Sequence, residues 1–110
     1  MSSDENPTKV IVTTEHMEDL KPEVSQRIEE KARGLQKYFS RLIDCRVKVK
    51  GPGAHHQKGG PYQVALTLGV PGPDIHVTHK TASTLDEALR DAFKAAQRQL
   101  EDYSQRLRRA

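Results

Sequence analysis

The chain has 110 residues, 30% of them charged and 35% hydrophobic, with a net charge of +3, no Trp and a single Cys. That length holds one domain with one core. The core must be mostly aliphatic, no apolar run approaches a membrane span, and a lone Cys45 excludes an internal disulfide framework and fits a reducing cytoplasm. The polar, acidic start Met-Ser-Ser-Asp-Glu-Asn-Pro is wrong for a secretory signal.

Residues 1–8 read as a loose tail and 9–110 as one domain. The β-branched run Lys-Val-Ile-Val-Thr-Thr over 9–14 predicts a first strand. Pro22 suits the first position of a helix, where its missing N–H costs nothing. From there Val24, Ile28, Ala32, Leu35 and Phe39 recur at three- and four-residue steps, which predicts an amphipathic helix over 22–38. Arg27, Lys31, Lys37 and Arg41 fall on a face displaced from the apolar stripe. A second strand covers 42–50. Its Ile43, Cys45, Val47 and Val49 alternate with Asp44, Arg46, Lys48 and Lys50, so one face is apolar and the other carries three cations in a row. Neighbours in that row stand about 7 Å apart, close to the spacing of phosphates along a nucleic-acid strand. A solvated face is the plainer reading, since edge strands carry lysine against aggregation.

The segment 51–61, with Gly51, Pro52, Gly53, Gly59, Gly60 and Pro61, must be a loop. A third strand follows over 62–70, then a tight turn at Pro71-Gly72-Pro73-Asp74. The fourth strand covers 75–81, with Ile75 and Val77 inward and His76, Thr78 and Lys80 outward. Strands two to four form an antiparallel meander. Ser83 or Thr84 caps the last helix, and the Thr84 to Glu87 spacing matches a capping box. Leu85, Leu89, Ala92, Phe93, Ala96, Leu100, Tyr103 and Leu107 make its apolar stripe, and Arg90, Lys94 and Arg98 repeat every four residues on another face. The fold class is α+β, in the order β-α-β-β-β-α: a four-stranded sheet with both helices packed on its one apolar face.

The charge is unevenly spread. Residues 1–30 hold three Lys/Arg and eight Asp/Glu, residues 31–80 hold nine and two, and residues 81–110 hold six and five. A middle segment of +7 favours a polyanionic partner.

Several stretches, in this order and spacing, resemble the bacterial ribosome hibernation factors, the hibernation promoting factor and the ribosome-associated inhibitor among them. They are Glu29-Glu30-Lys31 with Leu35-Gln36-Lys37-Tyr38-Phe39, the strand over 43–49, and Pro71-Gly72-Pro73-Asp74-Ile75-His76-Val77. The last helix adds Ala88-Leu89-Arg90-Asp91-Ala92-Phe93 and Gln99-Leu100-Glu101-Asp102-Tyr103. The resemblance spans about 9–108. It implies a fold similar to a double-stranded-RNA-binding domain with an added strand. It also implies a stress factor that binds the small ribosomal subunit and its rRNA near the decoding region and blocks translation by steric exclusion. The basic residues of that family match Arg90, Lys94 and Arg98 on the last helix, and Lys31, Lys37, Arg46, Lys48 and Lys80 elsewhere. The loop His55-His56-Gln57-Lys58-Gly59-Gly60 departs from the shorter hairpin of the best-known members and points to a divergent branch. The chain also stops soon after the last helix, as in a short form of the family.

The candidate RNA-binding set is therefore Lys31, Lys37, Arg46, Lys48, Lys50, Lys58, Lys80, Arg90, Lys94 and Arg98. Phosphate contacts dominate nucleic-acid affinity, and structured RNA is recognised by shape and backbone. His55 and His56 read as a solvated loop tip or, with Lys58, as phosphate contacts; adjacent histidines rarely share one ion, so no metal or other cofactor is expected. Cys45 reads as a small buried hydrophobe, His79 as a strand-end packing residue, and Tyr38, Phe39, Phe93 and Tyr103 as core. No catalytic constellation emerges, so no enzymatic activity is expected. The expected state is a cytoplasmic monomer with no DNA or membrane partner. Two other readings stand beside this one: a general or double-stranded RNA-binding module acting off the ribosome, and a protein-interaction or dimerisation module using the open sheet face or an edge strand.

Overall fold

A computed structural model describes residues 8–52 and 61–109. The first strand, β1 (Lys9–Glu15), leads to the helix α1 (Pro22–Gly34), which runs on into a short 3-10 turn, Leu35–Lys37. Then follow β2 (Asp44–Lys50), β3 (Tyr62–Gly69), β4 (Ile75–Ala82) and the long helix α2 (Leu85–Arg109). The strands lie side by side in the order β1-β2-β3-β4. β2, β3 and β4 form the antiparallel meander, while β1 joins β2 in parallel, Lys9 opposite Asp44 through Glu15 opposite Lys50. A parallel pair needs a crossover, and α1 provides it.

Local chemistry accounts for the helix boundaries. α1 starts with Pro22 at its first position, after an extended Lys21 whose carbonyl accepts from the N–H groups of Val24 and Ser25. The α-helix ends at Gly34, four residues before the predicted end at 38. The chain then tightens into the 3-10 turn, with Tyr38 N–H donating to Leu35 O at 3.0 Å. At the start of α2 the Thr84 hydroxyl accepts from Glu87 N–H at 3.2 Å and donates back to the Glu87 carboxylate, as the capping-box spacing anticipated.

Both helices cover one face of the sheet. α2 packs against β3 and β4, and α1 lies against β1. The core between layers is aliphatic: Val47, Val49, Val64, Leu66, Leu68 and Val77 from the strands, with Ile28, Leu89 and Leu100 from the helices. Phe39 meets Tyr103 edge-on, ring centroids 5.2 Å apart, which ties the end of the 3-10 turn to the C-terminal part of α2.

Three positions differ from the sequence pattern. Ile43 is 56% exposed instead of inward: it precedes the first paired residue of β2, and Leu42 is buried in the core beside it. Lys80 does not share the outer face with His76. Val64 pairs with Lys80 but Leu66 pairs with Val77, so Ala65 faces two residues, Thr78 and His79, in a β-bulge. The bulge reverses the parity beyond it. Lys80 therefore shares the face of buried Val64 and is half-buried, whereas His79 is exposed instead of packed.

Candidate nucleic-acid interface

The two basic surfaces expected from the sequence have different fates. On the open sheet face, Arg46 and Lys48 are not free cations. The Arg46 Nη2 donates to the Asp74 carboxylate at 2.9 Å, and its Nε lies 3.5 Å from Asp44 Oδ1. The hydrogen bond to Asp74, followed by the charge of Asp44, holds this guanidinium above its ordinary pKa. Lys48 Nζ sits 3.2 Å from the Glu15 carboxylate of the neighbouring strand. Lys50 stands in register between Glu15 and Gln63. The cation row is real, but acids from β1 and from the 71–74 turn neutralise most of it.

The helix side is the opposite case. α1 and α2 lie apart over the sheet and leave a furrow of about 710 Å³ between them. Arg27, Lys31 and Gly34 line one wall at the i, i+4, i+7 spacing of one helical face, and Tyr38, just past the 3-10 turn, extends it. Arg90, Phe93, Lys94 and Gln97 line the other at i, i+3, i+4, i+7. Lys37 contributes from the 3-10 turn, its Nζ 5.3 Å from the centre of the Tyr38 ring. Among the lining residues Glu30 is the one carboxylate against five cations. Arg27 is paired with Asp86 at 3.2 Å, but Lys31, Lys37, Arg90 and Lys94 have no carboxylate partner among the described residues. Lys31, Lys37, Arg90 and Lys94 are also exposed. An anion entering the furrow thus displaces no carboxylate from these four cations.

The structure brings four of the ten predicted residues together in this furrow. Arg98 lies one turn further along α2, outside its walls, and Lys80 is drawn toward the helix-covered face. Lys58, with His55 and His56, lies outside the described residues. Arg27, Gly34 and Tyr38 were absent from the predicted set, although their shared helical spacing with Lys31 was present in the sequence. Cys45 is fully buried, and its thiol is pushed up to about 12, by burial first and then by the Asp44 carboxylate, with Arg46 opposing. It stays a protonated thiol at neutral pH and offers no nucleophile.

The family model described as Sigma 54 modulation protein / S30EA ribosomal protein matches residues 10–108. The chain belongs to this family. The S30EA family is one of ribosome-associated proteins, in agreement with the resemblance to hibernation factors. Two solved structures share the S30EA fold seen here. A ribosomal subunit interface protein from Coxiella burnetii matches with a TM-score of 0.69 and 16% identity, over 86% of this chain and 97% of that one. The N-terminal domain of Protein Y from Thermus thermophilus matches with a TM-score of 0.71 and 14% identity, over 87% and 99%. No curated protein matches the chain. Among the described residues, no helix is long and apolar enough to cross a membrane.

Proposed function

We propose that this protein is a non-enzymatic factor that docks on the RNA of the small ribosomal subunit through the furrow between α1 and α2, and silences translation by occupying space that messenger and transfer RNA need. The observation that carries the reading is the set of four cations, Lys31, Lys37, Arg90 and Lys94, that have no carboxylate partner among the described residues and line one concave surface of a member of a ribosome-associated family. Phosphates supply the complementary charge, and an A-form surface is met through its backbone. Nothing in this mechanism makes or breaks a bond, and the buried, protonated Cys45 fits that. The partner is rRNA, and the compartment is the cytoplasm.

Sedimentation of the purified protein with ribosomes at low and high salt tests it. Co-migration with the small subunit that weakens steeply with salt is the expected result, followed by inhibition in a cell-free translation assay. A protein that stays at the top of the gradient at both salts, or that is displaced by free RNA duplex as readily as by ribosomes, refutes the ribosomal target.

A further inference from the structure

Of the four glycines among the described residues, Gly51, Gly69 and Gly72 stand at close quarters with the fold and Gly34 does not. A Cβ on Gly51 would lie 2.5 Å from the Met17 Cβ, and one on Gly69 would run into the Asp44 carboxylate. Those two are glycine because the protein itself fills the space. Gly34 is different. A Cβ there meets nothing within 4 Å. Its φ of −63° and ψ of −20° are ordinary right-handed helix, so it is not the left-handed glycine that ends many helices. Gly34 is the last residue of α1, at the step into the 3-10 turn, where its right-handed dihedrals would suit alanine equally and its missing side chain contributes no packing. Yet Gly34 lines the furrow, one turn from Lys31 and one turn from Tyr38, facing the α2 wall that carries Arg90 and Lys94.

From this we infer that Gly34 is a point of close approach for the ligand: an RNA strand lies in the furrow with its sugar–phosphate backbone against the bare main chain at Gly34, its phosphates held by Lys31 and Lys37 on one side and Arg90 and Lys94 on the other. The inference rests on the RNA reading above and specifies how that ligand is seated. Glycine is the residue that lets a backbone and a ligand touch without an intervening side chain. The cations on both walls suit a ligand charged along its length. Gly34 is therefore a specificity-determining residue that makes its contribution by absence, setting how deep the strand can sit.

The test uses Gly34→Ala, Gly34→Leu and Gly34→Met, none of which changes a charge. Each is measured for thermal stability and for binding to a fluorescein-labelled RNA hairpin and to small ribosomal subunits. The alanine variant should melt no lower than the wild type, because the fold loses nothing, and should bind RNA several-fold more weakly, because its methyl already stands between the strand and the main chain. The leucine and methionine variants should fold but bind RNA roughly ten- to a hundredfold more weakly, since a side chain now fills the seat. The slope of log affinity against log salt should stay that of the wild type in all three, because every cation remains. Methionine, unbranched and flexible, covers the case in which leucine disturbs the helix. Wild-type affinity in a folded leucine or methionine variant overturns the inference. If charge reversal at Lys31 and Lys94 abolishes binding while these variants bind normally, the furrow is an RNA site but Gly34 is not its seat. If neither set changes binding, the functional reading itself fails.

Discussion

Replacing Lys31, Lys37, Arg90 and Lys94, the furrow cations with no carboxylate partner among the described residues, by alanine tests the helix side against the sheet side as the RNA interface. Each phosphate neutralised by a protein cation contributes about 0.9 to the negative slope of log affinity against log salt on duplex nucleic acid. Four such contacts give a slope of roughly −3.6, so a fourfold rise in salt lowers affinity on the order of 10²-fold through them alone. The quadruple variant should lose that much of the salt dependence, and each single variant about one unit of it. All four side chains are exposed and none packs into the core, so the fold should be retained. The control is Lys48→Ala on the open sheet face. Lys48 is engaged by Glu15 at 3.2 Å, so its loss should leave the slope unchanged. The assay is fluorescence anisotropy of a labelled RNA hairpin across a salt series, with small-subunit co-sedimentation as a second readout. A slope that falls by about one unit in Lys48→Ala and stays fixed in the furrow variants would refute the argument and move the interface to the sheet.

Three further outcomes test the fold and its electrostatics. The Cys45 thiol, raised in the folded state from 9.0 to about 12, favours the protonated form; its contribution is complete below pH 9 and is lost as pH rises toward 12. Unfolding free energy should therefore fall over that alkaline window, by an upper bound of about 4 kcal/mol, and a thiol reagent should react with Cys45 at pH 8 only once denaturant is added. Chemical denaturation across the pH range, beside Cys45→Ala, measures it: a slope that is the same in both proteins would contradict the assignment. His16 has a left-handed φ of 58°, so His16→Gly should relieve backbone strain and stabilise the protein by about 1 kcal/mol, read as a raised melting temperature. Leu100 is fully buried between α2 and the sheet, and Leu100→Ala should cost about 2–5 kcal/mol in urea unfolding.

Most of the architecture could be read from periodicity. The alternation in β2, the three- and four-residue steps in both helices and the Thr84 to Glu87 cap all correspond to what the chain forms. The departures have specific causes. Lys80 was placed outward by counting from Ile75, and a single inserted residue in β4 defeats any count by two. Ile43 alternates correctly with Asp44 and its backbone bonds Gly69 and Lys9, but Leu42 takes the place in the core and leaves the Ile43 side chain exposed. The cation row on β2 was visible, whereas its neutralisation was not. Asp74 is 28 residues from Arg46, and Glu15 is on a strand whose pairing partner the pattern left open. The furrow required knowing that α1 lies toward β1 and α2 over β3 and β4. Each wall was written in the sequence as a helical stripe, but the space between the walls was not.

The neutralised sheet has a kinetic consequence. With Arg46 and Lys48 engaged by Glu15, Asp44 and Asp74, the middle of the sheet face is close to neutral, while the furrow lining holds five cations against Glu30. Of these two patches the furrow is therefore the more positive, and a polyanion is drawn to it before contact. That attraction acts within roughly a Debye length, about 8 Å at physiological salt. A larger share of collisions then arrive furrow-first. The ion pairs on the sheet add little to folding stability at their exposure; under the reading proposed above they act instead on the rate at which the protein meets its partner furrow-first.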